Sequence, residues 1–264
     1  PHLLEWEQAS QTDLFKAIAR ALRDCANWYK KLTFEEKLLA MICRGLIFTA
    51  DHAASAGDDE FPPMPTLNAK IPLQKYTQWR DHQTVAAKSP LGSSLLVAPT
   101  GSGKTEAAIL WAERQLQLRP AARLFYVLPY QASMNAMAQR LLWAYFANDK
   151  NPSLADWNSN KVITIQHSRA RLRFYQEMME ADETARSATQ NAERLQNLVR
   201  LNYYPIQVCS PYQMLKAAYS LKGYEALLTD YANALFIFDE IHAYEPKRLA
   251  LIITFMRWLA QNYG

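Results

Sequence analysis

The sequence predicts an α/β fold, a parallel sheet with helices on both faces, preceded by a small all-α segment. From about residue 90 onward, short apolar runs of the kind that form buried strands alternate with helical patterns. One run leads into a glycine-containing loop and another into two acids, as expected where parallel strands end. Residues 1–57, by contrast, show only helical periodicity.

The composition is that of an ordinary globular protein with a sizeable core. Half of the 264 residues are hydrophobic and 20% are charged. The net charge of +4 permits an anionic partner without requiring one. Cys25, Cys43 and Cys209 lie far apart and form no C-x-x-C pair, which favours reduced core residues in a cytoplasmic protein.

No membrane partner is predicted. The apolar stretch Leu249–Met256 is far shorter than the ~20 residues that a membrane span needs. No signal peptide is visible, and the chain starts at Pro1 rather than at an initiator. We therefore expect a piece of a longer protein.

Two helices are predicted before residue 57. The first covers residues 12–31, where apolar residues recur at intervals of three and four. The second follows a capping box formed by Thr33 and Glu36, and it reaches about Ala56. It carries Asp51 among alanines, and a carboxylate buried there would need a partner or a metal. The residue types alone favour an exposed position for Asp51.

Prolines mark the predicted domain boundary. Four of them lie in the stretch 57–73, and they prevent a helix from continuing there. The predicted division is a helical segment at 1–57, a linker at 58–73 and the α/β domain at 74–264.

The stretch around residues 94–105 predicts a phosphate-binding loop. A strand is expected at 95–98 and a helix from Glu106 onward. Between them, Thr100, Gly101, Ser102 and Gly103 form a loop whose backbone N–H groups converge on one point.

The last two residues of this loop carry the chemistry. Lys104 is predicted to reach the β- and γ-phosphates, and the Thr105 hydroxyl to bind Mg²⁺. Ala98 stands where the strict pattern has its first glycine, so the loop is a close variant.

Four more strands are predicted, and the last one delivers two acids. They cover 123–128, 161–166, 206–209 and 234–238, with helices at 130–146 and 249–259 and a polar, helical pattern at 169–202. Asp239 is predicted to hold Mg²⁺ and Glu240 to polarise the attacking water, which makes Glu240 and Lys104 the catalytic candidates.

These motifs together resemble superfamily two helicases, and more narrowly the helicase-nucleases of type I CRISPR systems. The resemblance covers roughly residues 70–264. It is carried by APTGSGKT (98–105), LPYQA (128–132) with Asn135 and Ala136, QHSRA (166–170), CSPYQ (209–213) and DEIHAY (239–244). It implies that 74–264 is a first RecA-like domain, truncated before a Ser-Ala-Thr motif.

The resemblance also implies roles in nucleotide binding. Gln83 would read the adenine edge of ATP, with Arg80 nearby, and His242 would couple the ATP site to the DNA motifs. Loops after the strands would contact single-stranded DNA through backbone N–H groups, hydroxyls and arginines. The DNA candidates are Pro129, Tyr130, Gln131, His167, Arg169, Ser210 and Pro211, and a solvated helix face is an equal alternative for the arginine.

The segment 50–55 resembles the end of the HD nuclease domain that precedes the helicase in that family. This makes Asp51 a candidate ligand of a divalent transition metal. The upstream His and His-Asp ligands are missing from the chain, so no nuclease activity is expected here. The second RecA-like domain with its arginine fingers is missing as well, so ATP hydrolysis should be slow or undetectable.

The expected function is the ATP-binding motor of a single-stranded DNA translocase in CRISPR interference, loaded by a CRISPR effector complex. One alternative is a helicase of DNA repair or restriction. Another is a non-catalytic ATP-binding module that reports nucleotide state to a partner.

Overall fold

The computed structural model describes residues 11–56, 61–65, 78–121, 123–146, 162–166 and 204–263, and its centre is a four-stranded parallel sheet. The strands lie in the order β2-β3-β1-β4. They are β1 (Leu124–Val127), β2 (Ile163–Gln166), β3 (Ile206–Cys209) and β4 (Leu235–Phe238). Each was predicted from an apolar run, because strands buried on both faces read as continuous hydrophobic stretches.

The helices that the structure describes are α1 (Gln11–Lys31), α2 (Phe34–Ala56), α3 (Asp81–Ala87), α4 (Lys104–Leu118), α5 (Gln131–Phe146), α6 (Pro211–Ala218), α7 (Tyr224–Tyr231) and α8 (Pro246–Tyr263), with a 3₁₀ turn at Ile241–Ala243. Periodicity and capping predicted five of them, but not the short helices α3, α6 and α7. The predicted polar region 169–202 lies outside the described residues.

Side chains of β1 alternate between two apolar clusters, one on each face of the sheet. Tyr126 joins a cluster that includes Ile109 of α4 and Met134 of α5. Phe125 and Val127 join the other cluster, which includes residues of α6, α7 and α8. The period of two in a strand sends successive side chains to opposite faces. The predicted sheet with helices on both faces is confirmed.

The predicted strand at 95–98 is wrong. Residues 93–99 have no regular secondary structure and join no ladder, and Leu95 and Val97 are 81% and 88% exposed. A cavity of about 270 Å³ is lined by Leu91 just before this segment and by Leu235 and Phe236 of β4. An apolar run becomes a strand only where a neighbour pairs with its backbone.

The predicted capping box at the start of α2 is confirmed. The Thr33 N–H donates to Glu36 Oε2 at 2.7 Å, and the Glu36 N–H donates to Thr33 Oγ1 at 3.2 Å. Helix α2 then packs on α7, with Gly45 against Thr229 and the backbone of Glu225. A Cβ on Gly45 would overlap these atoms, so the close approach requires glycine.

Helix α1 leaves its apolar stripe exposed in the described part of the chain. Phe15 is 67% and Leu22 66% exposed. An apolar stripe of this kind normally packs against a partner, and no described residue covers these two side chains. Cys25 of α1 and Cys43 of α2 are exposed too, which corrects the expectation that all three cysteines lie in the core.

Among the described residues, α2 is long and apolar enough over Phe34–Ser55 to cross a membrane by length and composition. The prediction that no membrane span is present rested on Leu249–Met256 and did not include this helix. One such helix is weak evidence for a membrane span, because a core helix of a soluble protein passes the same test. The packing of α2 on α7 gives the helix a protein partner.

The three thiols are expected to differ in reactivity. Burial raises the pKa of Cys209 to about 12, so almost no thiolate forms at pH 8, whereas Cys25 and Cys43 are accessible. In the native protein, dithionitrobenzoate should titrate two thiols quickly and the third only after denaturation. Cys209→Ala should give two in both conditions, and three fast thiols in the unmodified protein would contradict the burial of Cys209.

Candidate nucleotide-binding site

The loop before α4 has the backbone geometry of an anion-binding turn. Gly101 and Gly103 have φ values of 73° and 80°, in the left-handed region that glycine adopts without strain. The Ser102 N–H donates to the Pro99 carbonyl at 3.2 Å, which closes the turn. Helix α4 begins directly after Gly103, so its unpaired N–H groups and positive dipole end lie at the loop.

Two side chains of this loop are suited to a phosphate group. Lys104 is half-buried, and its Nζ donates to the Ala98 carbonyl at 3.2 Å. The Ser102 hydroxyl is buried and has no hydrogen-bond partner in the described structure. A buried hydroxyl without a partner costs free energy, and a phosphate oxygen would supply the missing acceptor.

Helix α3 supports the loop through two side-chain hydrogen bonds. His82 Nε2 donates to the Ser102 carbonyl at 3.0 Å, and Gln83 Nε2 donates to the Gly103 carbonyl at 3.3 Å. Gln83 is 5% exposed, and its Oε1 accepts from the Arg80 N–H at 3.0 Å. The predicted adenine contact of Gln83 stays a prediction. The sequence did not reveal that Gln83 also supports the loop through its hydrogen bond to the Gly103 carbonyl.

The two acids follow β4 at the carboxyl edge of the sheet. The Asp239 N–H donates to the Val127 carbonyl at 3.0 Å, which continues the ladder one residue beyond β4. Both carboxylate oxygens of Asp239 accept hydrogen bonds. Oδ1 accepts from the Glu240 N–H at 2.9 Å, and Oδ2 accepts from the Tyr126 hydroxyl at 2.7 Å.

Glu240 adopts a backbone conformation that is unusual for its residue type. Its φ of 52° lies in the left-handed region, which costs about 1 kcal/mol for a residue with a Cβ. The chain turns sharply here, out of the strand and into the 3₁₀ turn. The Glu240 carboxylate is 40% exposed and lies 3.2 Å from His242 Nε2. The structure thus brings Asp239, Glu240 and His242 together at one edge.

Tyr126 lies between this edge and the loop, and no sequence motif includes it. Its hydroxyl donates to the Asp239 carboxylate, and the Thr105 side chain is among the neighbours of that hydroxyl. Burial and the neighbouring Asp239 charge raise the pKa of Tyr126 well above its usual value, so the phenol stays protonated. The sequence shows only a tyrosine in an apolar strand.

An ion pair ties the helix after the loop to α5. Glu106 is nearly buried, with its side chain 7% exposed, and it accepts from Arg140, whose side chain is 42% exposed. Neither residue was a candidate in the sequence, because their separation of 34 positions leaves no local pattern.

The predicted DNA-contacting loops that the structure describes lie side by side. Val127 of β1 pairs with Cys209 of β3, and the Leu128 N–H donates to the Cys209 carbonyl at 3.0 Å. The residues that follow each strand therefore share the carboxyl edge. They are Pro129, Tyr130 and Gln131 after β1 and Ser210 and Pro211 after β3, with Tyr130 60% exposed. His167 and Arg169 lie outside the described residues.

Asp51 lies apart from this edge, exposed on α2 beside His52. The described part of the chain contains no group of three or more His, Cys, Asp or Glu side chains placed to hold a metal ion. The suggested nuclease-metal role of Asp51 stays a prediction.

Comparisons with known proteins agree with this geometry. A family model for DEAD/DEAH box helicases matches residues 80–262. The CRISPR-associated nuclease/helicase Cas3 of Methanothermobacter thermautotrophicus is 28% identical over 81% of this chain and 24% of its own length. The CRISPR-associated endonuclease/helicase Cas3 of Escherichia coli is 29% identical over 66% of this chain and 19% of its own. The chain thus spans about a quarter or less of these relatives.

Solved structures support the fold. The crystal structure of T. fusca Cas3-ATP superimposes with a TM-score of 0.58 at 24% identity, over 76% of this chain and 22% of that one. The Cas3-ADP structure gives a TM-score of 0.55 at 22% identity over the same shares. The prediction of a RecA-like helicase fold is confirmed.

Replacing Gln83 separates its bracing contact from adenine recognition. Gln83→Ala removes the hydrogen bond to the loop at Gly103, so ATP and GTP should both bind about fivefold more weakly, as for one lost hydrogen bond. Titration with fluorescent ATP and GTP analogues measures both affinities, with the exposed Gln139→Ala as a control. A loss confined to ATP would contradict the supporting role of the hydrogen bond from Gln83 to Gly103 and would favour a contact between Gln83 and adenine.

Proposed function

The chain belongs to the DEAD/DEAH box helicase family, and we propose that it is the ATP-binding motor domain of a single-stranded DNA translocase that is fused to a metal-dependent nuclease and acts in CRISPR interference. The observation that supports nucleotide binding is that the loop and the two acids lie close together. The Asp239 carboxylate accepts from the Tyr126 hydroxyl, and the Thr105 side chain neighbours the same hydroxyl.

The donor set at this point fits Mg²⁺. A hydroxyl and a carboxylate oxygen are the hard ligands that Mg²⁺ accepts together with phosphate oxygens. When bound, Mg²⁺ would neutralise charge that develops between the β- and γ-phosphates. Thr105 and Asp239 would hold it, the Asp239 side through a water molecule.

The other residues of the site would bind the phosphates, activate the attacking water or couple the site to DNA. The loop N–H groups, the Ser102 hydroxyl and Lys104 would bind and orient the phosphates. Glu240 would polarise the attacking water, since its carboxylate reaches solvent at the same edge as Asp239. His242 lies beside that carboxylate. It would couple the presence or loss of the γ-phosphate to the position of the DNA-binding loops.

DNA would lie along the edge formed by the ends of β1 and β3. Pro129, Tyr130 and Gln131 lie beside Ser210 and Pro211, next to the acids of β4. Backbone N–H and hydroxyl groups at such positions suit contacts to phosphate that do not depend on sequence, and Tyr130 offers an exposed ring for stacking on a base. Nucleotide and DNA would therefore meet on a single edge of the sheet.

The nuclease and CRISPR parts rest on the relatives. Those compared above are named CRISPR-associated nuclease/helicase or endonuclease/helicase, and this chain matches only a part of each. We infer that a CRISPR effector complex loads the whole protein onto DNA, and that Asp51 belongs to a nuclease metal site completed by residues outside this chain. Localisation in the cytoplasm is part of the same proposal.

Lys104→Ala tests the phosphate-binding loop. Removing a charged donor to the β- and γ-phosphates should lower the affinity for ATP about 100-fold. Fluorescence titration with an N-methylanthraniloyl-ATP analogue measures it, and Lys88→Ala, an exposed lysine before the loop, is the matched control. Unchanged affinity in the Lys104 variant would refute the assignment.

Asp239→Ala tests the metal role of the first acid. The affinity for ATP in the presence of Mg²⁺ should fall about tenfold, whereas the affinity in EDTA should change little, because Asp239 would touch the metal and not the phosphates. Glu245→Ala, which removes an exposed carboxylate nearby, should leave both affinities unchanged. Equal losses with and without Mg²⁺ would count against the metal role of Asp239.

A further inference from the structure

We propose that Tyr126 is a positioning residue, whose hydroxyl fixes the Asp239 carboxylate in register with the Thr105 hydroxyl so that the two can hold one Mg²⁺ together. This inference rests on the proposed function of the site as a Mg-ATP site. Tyr126 belongs to none of the sequence motifs, and its side chain is fully buried.

The Tyr126 hydroxyl lies between the two Mg²⁺ candidates. Tyr126 is on the interior strand β1, with an exposure of 0%. Its hydroxyl donates to Asp239 Oδ2 at 2.7 Å, and the Thr105 side chain is a neighbour of the same hydroxyl. The two candidates belong to separate elements, and one buried group lies beside both.

Two hydrogen bonds hold the Asp239 carboxylate in place. Asp239 Oδ2 is held by Tyr126 and Oδ1 by the Glu240 N–H at 2.9 Å, so rotation of the carboxylate would break two hydrogen bonds. Each carboxylate oxygen has about two lone pairs, and each therefore keeps one for the metal or its water. A ligand fixed in this way loses less conformational entropy when the metal binds.

A phenol is also the right kind of donor for this position. It is uncharged at pH 7 and has one O–H to donate. It can therefore hold the Asp239 carboxylate without neutralising its negative charge. A lysine or arginine at the same place would neutralise Asp239 and weaken its attraction for Mg²⁺.

Packing alone is the alternative role for Tyr126. Its ring belongs to the apolar cluster with Ile109 and Ile237, and this contact needs no hydroxyl. Phenylalanine has the same ring, so Tyr126→Phe keeps the packing and removes only the hydroxyl. A packing role would appear in the melting temperature, whereas a positioning role would appear in the dependence of nucleotide binding on Mg²⁺.

The test is a Mg²⁺ titration of nucleotide binding by the 264-residue chain carrying Tyr126→Phe. With the fluorescent ATP analogue at fixed concentration, half-maximal binding should require about fivefold more Mg²⁺ than in the unmodified chain, and the affinity in EDTA should be unchanged. Tyr231→Phe, at a buried tyrosine in the cluster on the other face of the sheet, should leave the Mg²⁺ midpoint where it is.

A second measurement tests whether Tyr126→Phe changes the Mg²⁺ midpoint through Asp239. In a chain that already carries Asp239→Ala, adding Tyr126→Phe should shift the Mg²⁺ midpoint no further, because the hydroxyl has lost its partner. An unchanged midpoint for Tyr126→Phe alone, or an equal further shift in the double variant, would overturn the inference. Failure of the proposed function would look different, since Lys104→Ala would then retain its affinity for ATP.

Discussion

The site depends on the register between β1 and β4. Tyr126 pairs with Ile237, and the Asp239 N–H donates to the Val127 carbonyl at 3.0 Å. Since side chains alternate along a strand, Asp239 lies two residues beyond Ile237 on the face that Tyr126 and α4 share. A slip of one residue would turn the Asp239 carboxylate to the opposite face, away from Thr105. The ladder hydrogen bonds thus determine which residues can act on a nucleotide together.

The phosphate-binding loop is positioned by side chains of α3 rather than by strand pairing. Its preceding segment joins no ladder, and α3 holds the loop instead through His82 and Gln83, whose side chains donate to two successive carbonyls. These contacts give the carbonyl groups of Ser102 and Gly103 donors, while the N–H groups in the first turn of α4 have no partner within the helix and can bind an anion. A phosphate site needs this division, because carbonyl oxygens facing a phosphate would repel it. The sheet positions the acids and a short helix positions the loop.

The sequence predicted much of this fold, and its failures have a physical cause. Apolar runs identified all four described strands, and the exchange between Thr33 and Glu36 marked the start of α2, because these signals are local. Leu95–Ala98 has the same apolar character and yet forms no strand, since pairing depends on a neighbour that a local pattern cannot report. Tyr126 was missed for the same reason, as its partner Asp239 lies 113 positions away.

The ion pair between Glu106 and Arg140 resolves an electrostatic conflict in this arrangement. Glu106 directly follows Thr105 in the first turn of α4, where its carboxylate is stabilised by the helix dipole but lies close to the expected phosphates. Unpaired and nearly buried, it would repel an anion through a medium that screens poorly. Arg140 of α5 compensates this charge, so the positive end of the site at Lys104 and the acidic end at Asp239 and Glu240 remain distinct. A nucleotide with its metal requires this separation of charge. The phosphates need the positive charge at Lys104, whereas Mg²⁺ needs the carboxylate at Asp239.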